Sequence, residues 1–295
     1  MILKDIRHSF HNQLDDIYGT NEVDSFFYLL TEHYLSLSRL SFALKPELIL
    51  NENEFQHFSE ALKRLKQQEP IQYIIGETEF FGLKFKVNAH TLIPRPETEE
   101  LVQFIIDEYQ TLNNRQLNIL DIGTGTGCIA ISLAKQLKNA KVYAIDISKE
   151  ALKIAKENAK LNNVHIEFIE ANILSICHSE RTLSLSKCDA ESTFDIIVSN
   201  PPYVGFSEKQ DMKPNVLKYE PELALYVFDE NPLQFYKAIA EFAVNNLNNG
   251  GRLFFEINQY LGNETKQLLS QYGFSNIELK KDMFGNDRMV KGELI

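Results

Sequence analysis

Between residues 20 and 40, Val23, Phe26, Phe27, Leu30, Tyr34, Leu37 and Leu40 recur at three- and four-residue steps, the mark of one apolar helical face. A second face, Phe55, Phe58, Leu62 and Leu65, follows Asn51 as a cap and ends before Pro70. Residues 1–70 therefore read as a small helical domain, either a packing element or a docking surface for a partner. The period then shortens. Glu79 to Val87 approaches alternation with Gly82 at the turn, which predicts a β-hairpin linker within 71–96. Pro94 and Pro96 flank Arg95 in a stiff, non-helical segment, and a helix is expected from about Glu97 to Tyr109.

From residue 117 onward, apolar runs of strand length alternate with amphipathic helical stretches. Strands are expected at 117–122, 141–146, 164–169, 194–199, 251–257, 276–281 and 287–292. Helices fall at 128–138, 148–162 with Ser148 as cap, 232–247 and 262–271. This order predicts an α/β domain over 97–295, an open and mostly parallel sheet with helices on both faces. Residues 175–192 are serine-rich and longer than an ordinary connection, so they read as a surface insertion.

Ligands of such sheets sit beyond the carboxyl ends of the strands, where this chain has two abrupt stops. The first is Asp121-Ile122-Gly123-Thr124-Gly125-Thr126-Gly127. Its glycines let backbone approach a ligand, and the helix behind them offers N–H donors. The next strand ends in Asp146, placed to accept hydrogen bonds from ribose hydroxyls. A dinucleotide fingerprint would want Gly at 128, where Cys128 stands and reads as a packing residue. Carboxylates at 121 and 146 would repel a pyrophosphate and suit a sulfonium, which favours S-adenosylmethionine as cofactor.

The second stop is Asn200-Pro201-Pro202-Tyr203 after the run Phe194 to Ser199. Proline cannot extend a ladder. The Asn200 side-chain carbonyl and the Pro201 backbone carbonyl can both accept from a planar NH₂ and favour positive charge growing on its nitrogen. Tyr203 can stack on the flat group. The bland alternative is an Asx turn at a strand end.

Bulk properties narrow the partners. The chain has 295 residues, enough for two domains, with 44% hydrophobic and 24% charged residues. A formal net charge of −11 argues against stable nucleic-acid binding. Cys128, Cys177 and Cys188 form no paired framework, and with His178 they have poor spacing for a metal, so no metal is expected. No apolar run approaches a membrane span, and the reading is a cytoplasmic monomer.

Five stretches stand in a telling order: Gln72-Tyr73-Ile74-Ile75-Gly76, Phe80-Phe81-Gly82, Leu92-Ile93-Pro94-Arg95-Pro96-Glu97-Thr98-Glu99, the glycine loop, and Asn200-Pro201-Pro202-Tyr203. Together, and with Glu220-Pro221, Ala224-Leu225, Glu256-Ile257 and Asp287-Arg288, they resemble the PrmC/HemK family of peptide chain release factor glutamine methyltransferases over nearly the whole chain. The resemblance implies a helical N-terminal domain joined by a hairpin to a Rossmann-like methyltransferase domain. It implies S-adenosylmethionine along Gly123, Thr124, Gly125, Thr126 and Gly127 with Asp146 on the ribose. It also implies methyl transfer to the glutamine of a release-factor Gly-Gly-Gln motif, held by Asn200 to Tyr203. Where the family often carries an acidic-aromatic pair near the adenine, this chain has Asn172-Ile173. The Asn-Pro-Pro-Tyr tetrapeptide is shared with nucleic-acid adenine methyltransferases, so that reading and a ribosomal-protein glutamine methyltransferase stand as alternatives. Ile93 to Thr98 is the part that points to protein glutamine.

Overall fold

The computed structural model describes residues 1–45, 47–109, 116–176 and 193–295. It forms two compact units, Met1–Gly76 with Lys213–Tyr219, and Glu77–Met212 with Glu220–Ile295. Of the expected insertion, residues 177–192 lie outside the described residues, and with them Cys177, His178 and Cys188.

The first unit is helical: α1 Leu3–Tyr18, α2 Thr20–Leu35, α3 Arg39–Leu44, α4 Glu52–Lys66 and α5 Ile71–Ile75. The apolar faces of α1, α2 and α4 meet around Phe10, Phe27 and Phe58, with Phe10 edge-on to Phe27 at 5.9 Å. Asn51 and Glu54 make a reciprocal capping box at the start of α4. The apolar stripe from Val23 to Leu40 does not belong to one helix. Ser36 adopts a left-handed φ of 53° and closes α2, so Leu40 lies beyond the turn and is exposed. The late segment Lys213–Tyr219 joins this unit through the Tyr219 hydroxyl, which donates to the Gln67 carbonyl at 2.9 Å.

The second unit opens with the hairpin β1 Glu77–Phe80 and β2 Leu83–Lys86, turning at Phe81 and Gly82 with positive φ at both. The hairpin packs into this unit's core through Phe80 and Phe85. Then come α6 Pro96–Tyr109, β3 Leu117–Ile122, α7 Cys128–Gln136, β4 Ala140–Asp146, α8 Lys149–Leu161, β5 Ile166–Glu170, α9 Ile173–Ile176 and β6 Phe194–Ser199. After a minor pair, β7 Val204–Gly205 with β8 Tyr226–Val227, and α11 Glu222–Leu225, the unit continues with α12 Gln234–Asn246, β9 Leu247–Glu256, α13 Gly262–Gln271, β10 Phe274–Lys281 and β11 Asp287–Leu294, while α10 Pro214–Tyr219 belongs to the first unit.

Seven strands form one sheet in the order β10-β11-β9-β6-β3-β4-β5, parallel from β9 to β5 and antiparallel at β11 and β10. Successive strand residues feed opposite cores. Ile119, Val142, Ile196 and Phe254 bury on one face with α6 and α7. Leu120, Tyr143, Ile197 and Phe255 bury on the other with α12 and α13. Burial on both faces is why these strands read as continuous apolar runs. From central β3 the chain builds outward through β4 and β5, then returns to β6 on β3's other side. The carboxyl ends around that reversal are where ligands of doubly wound sheets sit.

Candidate active site

The glycine loop is pinned to the end of β4. The N–H groups of Gly123 and Thr124 both donate to the Ile145 carbonyl, at 2.8 and 3.0 Å. Asp146 accepts the Gly125 N–H at 2.8 Å on one oxygen and the Ser148 N–H at 2.8 Å on the other. Burial pushes the Asp146 carboxyl above its ordinary range, against those donors. Asp121 does not reach the cavity wall. Its Oδ2 accepts from the Thr124 hydroxyl at 2.6 Å and the Ala130 N–H at 3.3 Å, so it ties the loop to the start of α7. Its Oδ1 is buried and has no hydrogen-bond partner among the described residues. Burial raises this carboxyl to about 7.

The three glycines divide their work. A Cβ at Gly123 or Gly125 would meet no protein atom within 4 Å, and both have positive φ. A Cβ at Gly127 would strike Ile131 at 3.0 Å and Ala155 at 3.2 Å. The first two therefore leave open room beside the cavity, while the third lets α7 and α8 approach. Thr124 and Thr126 are buried beneath the loop.

At the second stop, the Ser199 hydroxyl donates to the Ile122 carbonyl at 2.6 Å and locks the ends of β6 and β3 together. Asn200 donates through Nδ2 to the Thr98 hydroxyl at 3.3 Å, and Thr98 donates to Glu256 Oε2 at 2.6 Å. Tyr203 donates to the other oxygen of Glu256 at 3.1 Å. Its backbone carbonyl accepts from Asn258 Nδ2 at 3.1 Å. Burial drives the Glu256 carboxyl upward, opposed by Thr98, the Arg288 charge and Tyr203. Burial first, and the Glu256 charge second, keep the Tyr203 phenol protonated.

A third anchor is the Leu92–Pro96 segment. Arg95 donates to Glu220 at 2.6 Å, and the Ile93 N–H donates to the other Glu220 oxygen at 3.4 Å. The Glu220 side chain is only 1% exposed, so this carboxylate is paired inside the protein. The pair fastens Leu92 and Pro221 on the rim of one cavity.

That cavity, about 420 Å³, gathers most of the residues singled out in the sequence. Gly123, Gly125 and Asp146 line it, as do Asn172, Ile173, Asn200, Pro201 and Pro202. Thr124, Thr126, Gly127 and Tyr203 are off its wall, the first three beneath the loop and Tyr203 turned to Glu256. Asn172, one residue before α9, uses Oδ1 to accept the Leu174 N–H at 3.0 Å, and Ile173 is buried beside it. Phe235 and Ile239 of α12 add apolar wall that no motif announced. Thr98 and Glu256 also escaped attention as site residues. Their signal was a hydroxyl within the proline segment and a lone carboxylate closing the buried run Leu253 to Phe255.

The wall suits an adenosyl ligand with a charged sulfur: open room at Gly123 and Gly125, a carboxylate at Asp146, and apolar Ile173 and Phe235 for a flat base. It also brings an amide and two prolines within the same enclosure.

A family model described as "Methyltransferase domain" matches residues 113–281, and one described as "PrmC N-terminal domain" matches residues 5–76. Among solved structures, the hMettl16 catalytic domain in complex with an RNA hairpin superimposes with a TM-score of 0.53 at 16% identity, covering 83% of this chain and 82% of that one. At that identity the likeness is one of fold. Among curated proteins, the release factor glutamine methyltransferase of Bacteroides thetaiotaomicron is 42% identical, covering 94% of this chain and 95% of its own length. That of Flavobacterium psychrophilum is 53% identical and covers 99% of both chains. Identity of this extent over nearly the full length of both chains places the chain in the release factor glutamine methyltransferase family.

Proposed function

We propose that this protein transfers a methyl group from S-adenosylmethionine to the side-chain amide nitrogen of the glutamine in the Gly-Gly-Gln motif of peptide chain release factors. The observation that carries the reading is a single cavity bounded on one side by Gly123, Gly125 and Asp146, and on another by Asn200, Pro201 and Pro202. Gly123, Gly125 and Asp146 would hold the cofactor, with Asn172 and Ile173 beside its base. When bound, the cofactor supplies an electrophilic methyl on a sulfonium.

The protein's own task is to present a poor nucleophile. An amide nitrogen shares its lone pair with the carbonyl, so its attack needs a fixed plane and stabilised positive charge. The Asn200 side-chain carbonyl and the Pro201 backbone carbonyl accept its two N–H groups and hold that plane. Both are dipoles with their negative ends toward the nitrogen, which favours the charge that grows there. The amide proton becomes acidic only once the new N–C bond forms, so it can leave to water without a strong base in the site. Prolines at 201 and 202 keep this stretch from continuing the ladder.

The helical unit is read as the surface that docks the release factor, and the chain as a monomer with no stable nucleic-acid binding, in keeping with its net charge of −11. Labelled-methyl transfer offered side by side to release factor, ribosomal protein and DNA tests the assignment. Label in the release factor supports it; label confined to either other substrate contradicts it.

A further inference from the structure

Resting on the reading of Asn200 as the amide's acceptor, we infer that Thr98 and Glu256 form a one-way hydrogen-bond relay that fixes which end of the Asn200 side chain faces the substrate. An asparagine amide is nearly symmetric in outline, with an acceptor at one end and a donor at the other. Turned the wrong way, Asn200 would meet the substrate NH₂ with its own NH₂, donor against donor. Something must therefore distinguish the two orientations.

The structure supplies it through three elements far apart in sequence. Glu256 is the last residue of β9, is 1% exposed, and has both carboxylate oxygens engaged by hydroxyls. Both Glu256 oxygens act as acceptors here, one from Tyr203 and one from Thr98, so the Thr98 hydroxyl, in the first turn of α6, spends its single proton on Oε2. Thr98 then has only lone pairs to offer Asn200, and the atom facing it is the donor Nδ2, at 3.3 Å. Oδ1 is left for the cavity that Asn200 lines. The same carboxyl group accepts the Tyr203 hydrogen bond, so both ends of the tetrapeptide are set from one buried side chain. Thr98 and Glu256 are off the cavity wall and act through Asn200, which makes them positioning residues.

The relay makes a prediction that packing reverses. Thr98→Val keeps the branched, buried volume and removes the hydroxyl, whereas Thr98→Ser keeps the hydroxyl and removes a methyl. Methylation of full-length release factor by the full chain is measured for both variants, for Glu256→Gln and for wild type, alongside S-adenosylmethionine affinity. Thr98→Ser is expected within about threefold of wild-type kcat, and Thr98→Val about 10²-fold lower, both with unchanged cofactor affinity. Glu256→Gln, which can turn an NH₂ toward Thr98 and reverse the chain, is expected at least about 10-fold lower in kcat. Wild-type kcat in Thr98→Val, or a larger loss in Thr98→Ser than in Thr98→Val, overturns the relay; wild-type kcat in Glu256→Gln removes Glu256 from it. Wild-type enzyme that leaves the release factor unmethylated overturns instead the function on which the relay rests.

Discussion

Asp121 and Asp146 close neighbouring strands, yet they are used differently. Asp146 spends each oxygen on one backbone N–H and still lines the cavity. Asp121 is sealed beneath the loop with one oxygen unpartnered, and burial raises it to about 7. Its pH consequence has a definite sign. Unfolded, this carboxyl loses its proton near pH 4, whereas folded it keeps it to about 7. Between those values the folded state binds the extra proton, so this group's contribution to stability falls as pH rises, by up to about 1.4 kcal/mol per pH unit. Asp121→Asn should remove that slope, which chemical denaturation at pH 5, 6 and 7 would reveal as a smaller fall in stability than wild type shows. The glycines give a second residue-level contrast. Gly127→Ala meets Ile131 and Ala155 at positive φ and should cost about 2–3 kcal/mol of stability. Gly125→Ala meets only open space, should cost about 1 kcal/mol, and should weaken cofactor binding, as thermal unfolding and calorimetric titration would register.

At the scale of elements, what was legible in the sequence followed from burial. β3 and β6 fall at the expected residues because strands buried on both faces announce themselves as unbroken apolar runs. β9 begins earlier than its apolar run, at Leu247. Asn248 and Asn249 have loop character, but Asn248 bonds Asp195 and Thr193 across the sheet, and such partners leave no local trace. The short helices α5, α9, α10 and α11 were likewise invisible, since four to six residues carry no period, and α3 was legible only within the helical reading of residues 1–70. The site divides the same way. Gly123, Gly125, Asp146 and Asn200 sit in motifs and could be named in advance. Thr98 with Glu256, and Arg95 with Glu220, are pairs separated by 158 and 125 positions. Only the folded sheet shows them as pairs. Arg95→Ala would leave the buried Glu220 without its counter-charge. With Arg95 itself about one-third exposed, a loss of about 2 kcal/mol in unfolding free energy is expected, with weaker cofactor binding. Glu220→Gln added to that variant should restore part of the stability, a coupling that a double-mutant cycle measures.

For the whole molecule, topology explains why residues from so many segments converge. The reversal around β3 brings the carboxyl ends of β3, β4 and β6 to one edge, and β9 delivers Glu256 beside them. One edge thus carries the glycine loop, the Asp146 carboxylate and the Asn200 amide with its two prolines, the parts that the proposed methyl transfer would use. Among the described residues no helix is long and apolar enough to cross a membrane. Relatives at 53% and 42% identity match over nearly the full length of both chains. Asn200 is proposed to present a release-factor glutamine to the methyl donor. Its most direct test is mass spectrometry of the Gly-Gly-Gln peptide from release factor incubated with S-adenosylmethionine and either wild type or Asn200→Ala. Wild type is expected to leave one added methyl group on the glutamine side chain, and Asn200→Ala to do so at a rate at least about 10²-fold lower with undiminished cofactor binding. An unmodified glutamine with wild type, or equal methylation by Asn200→Ala, would contradict it.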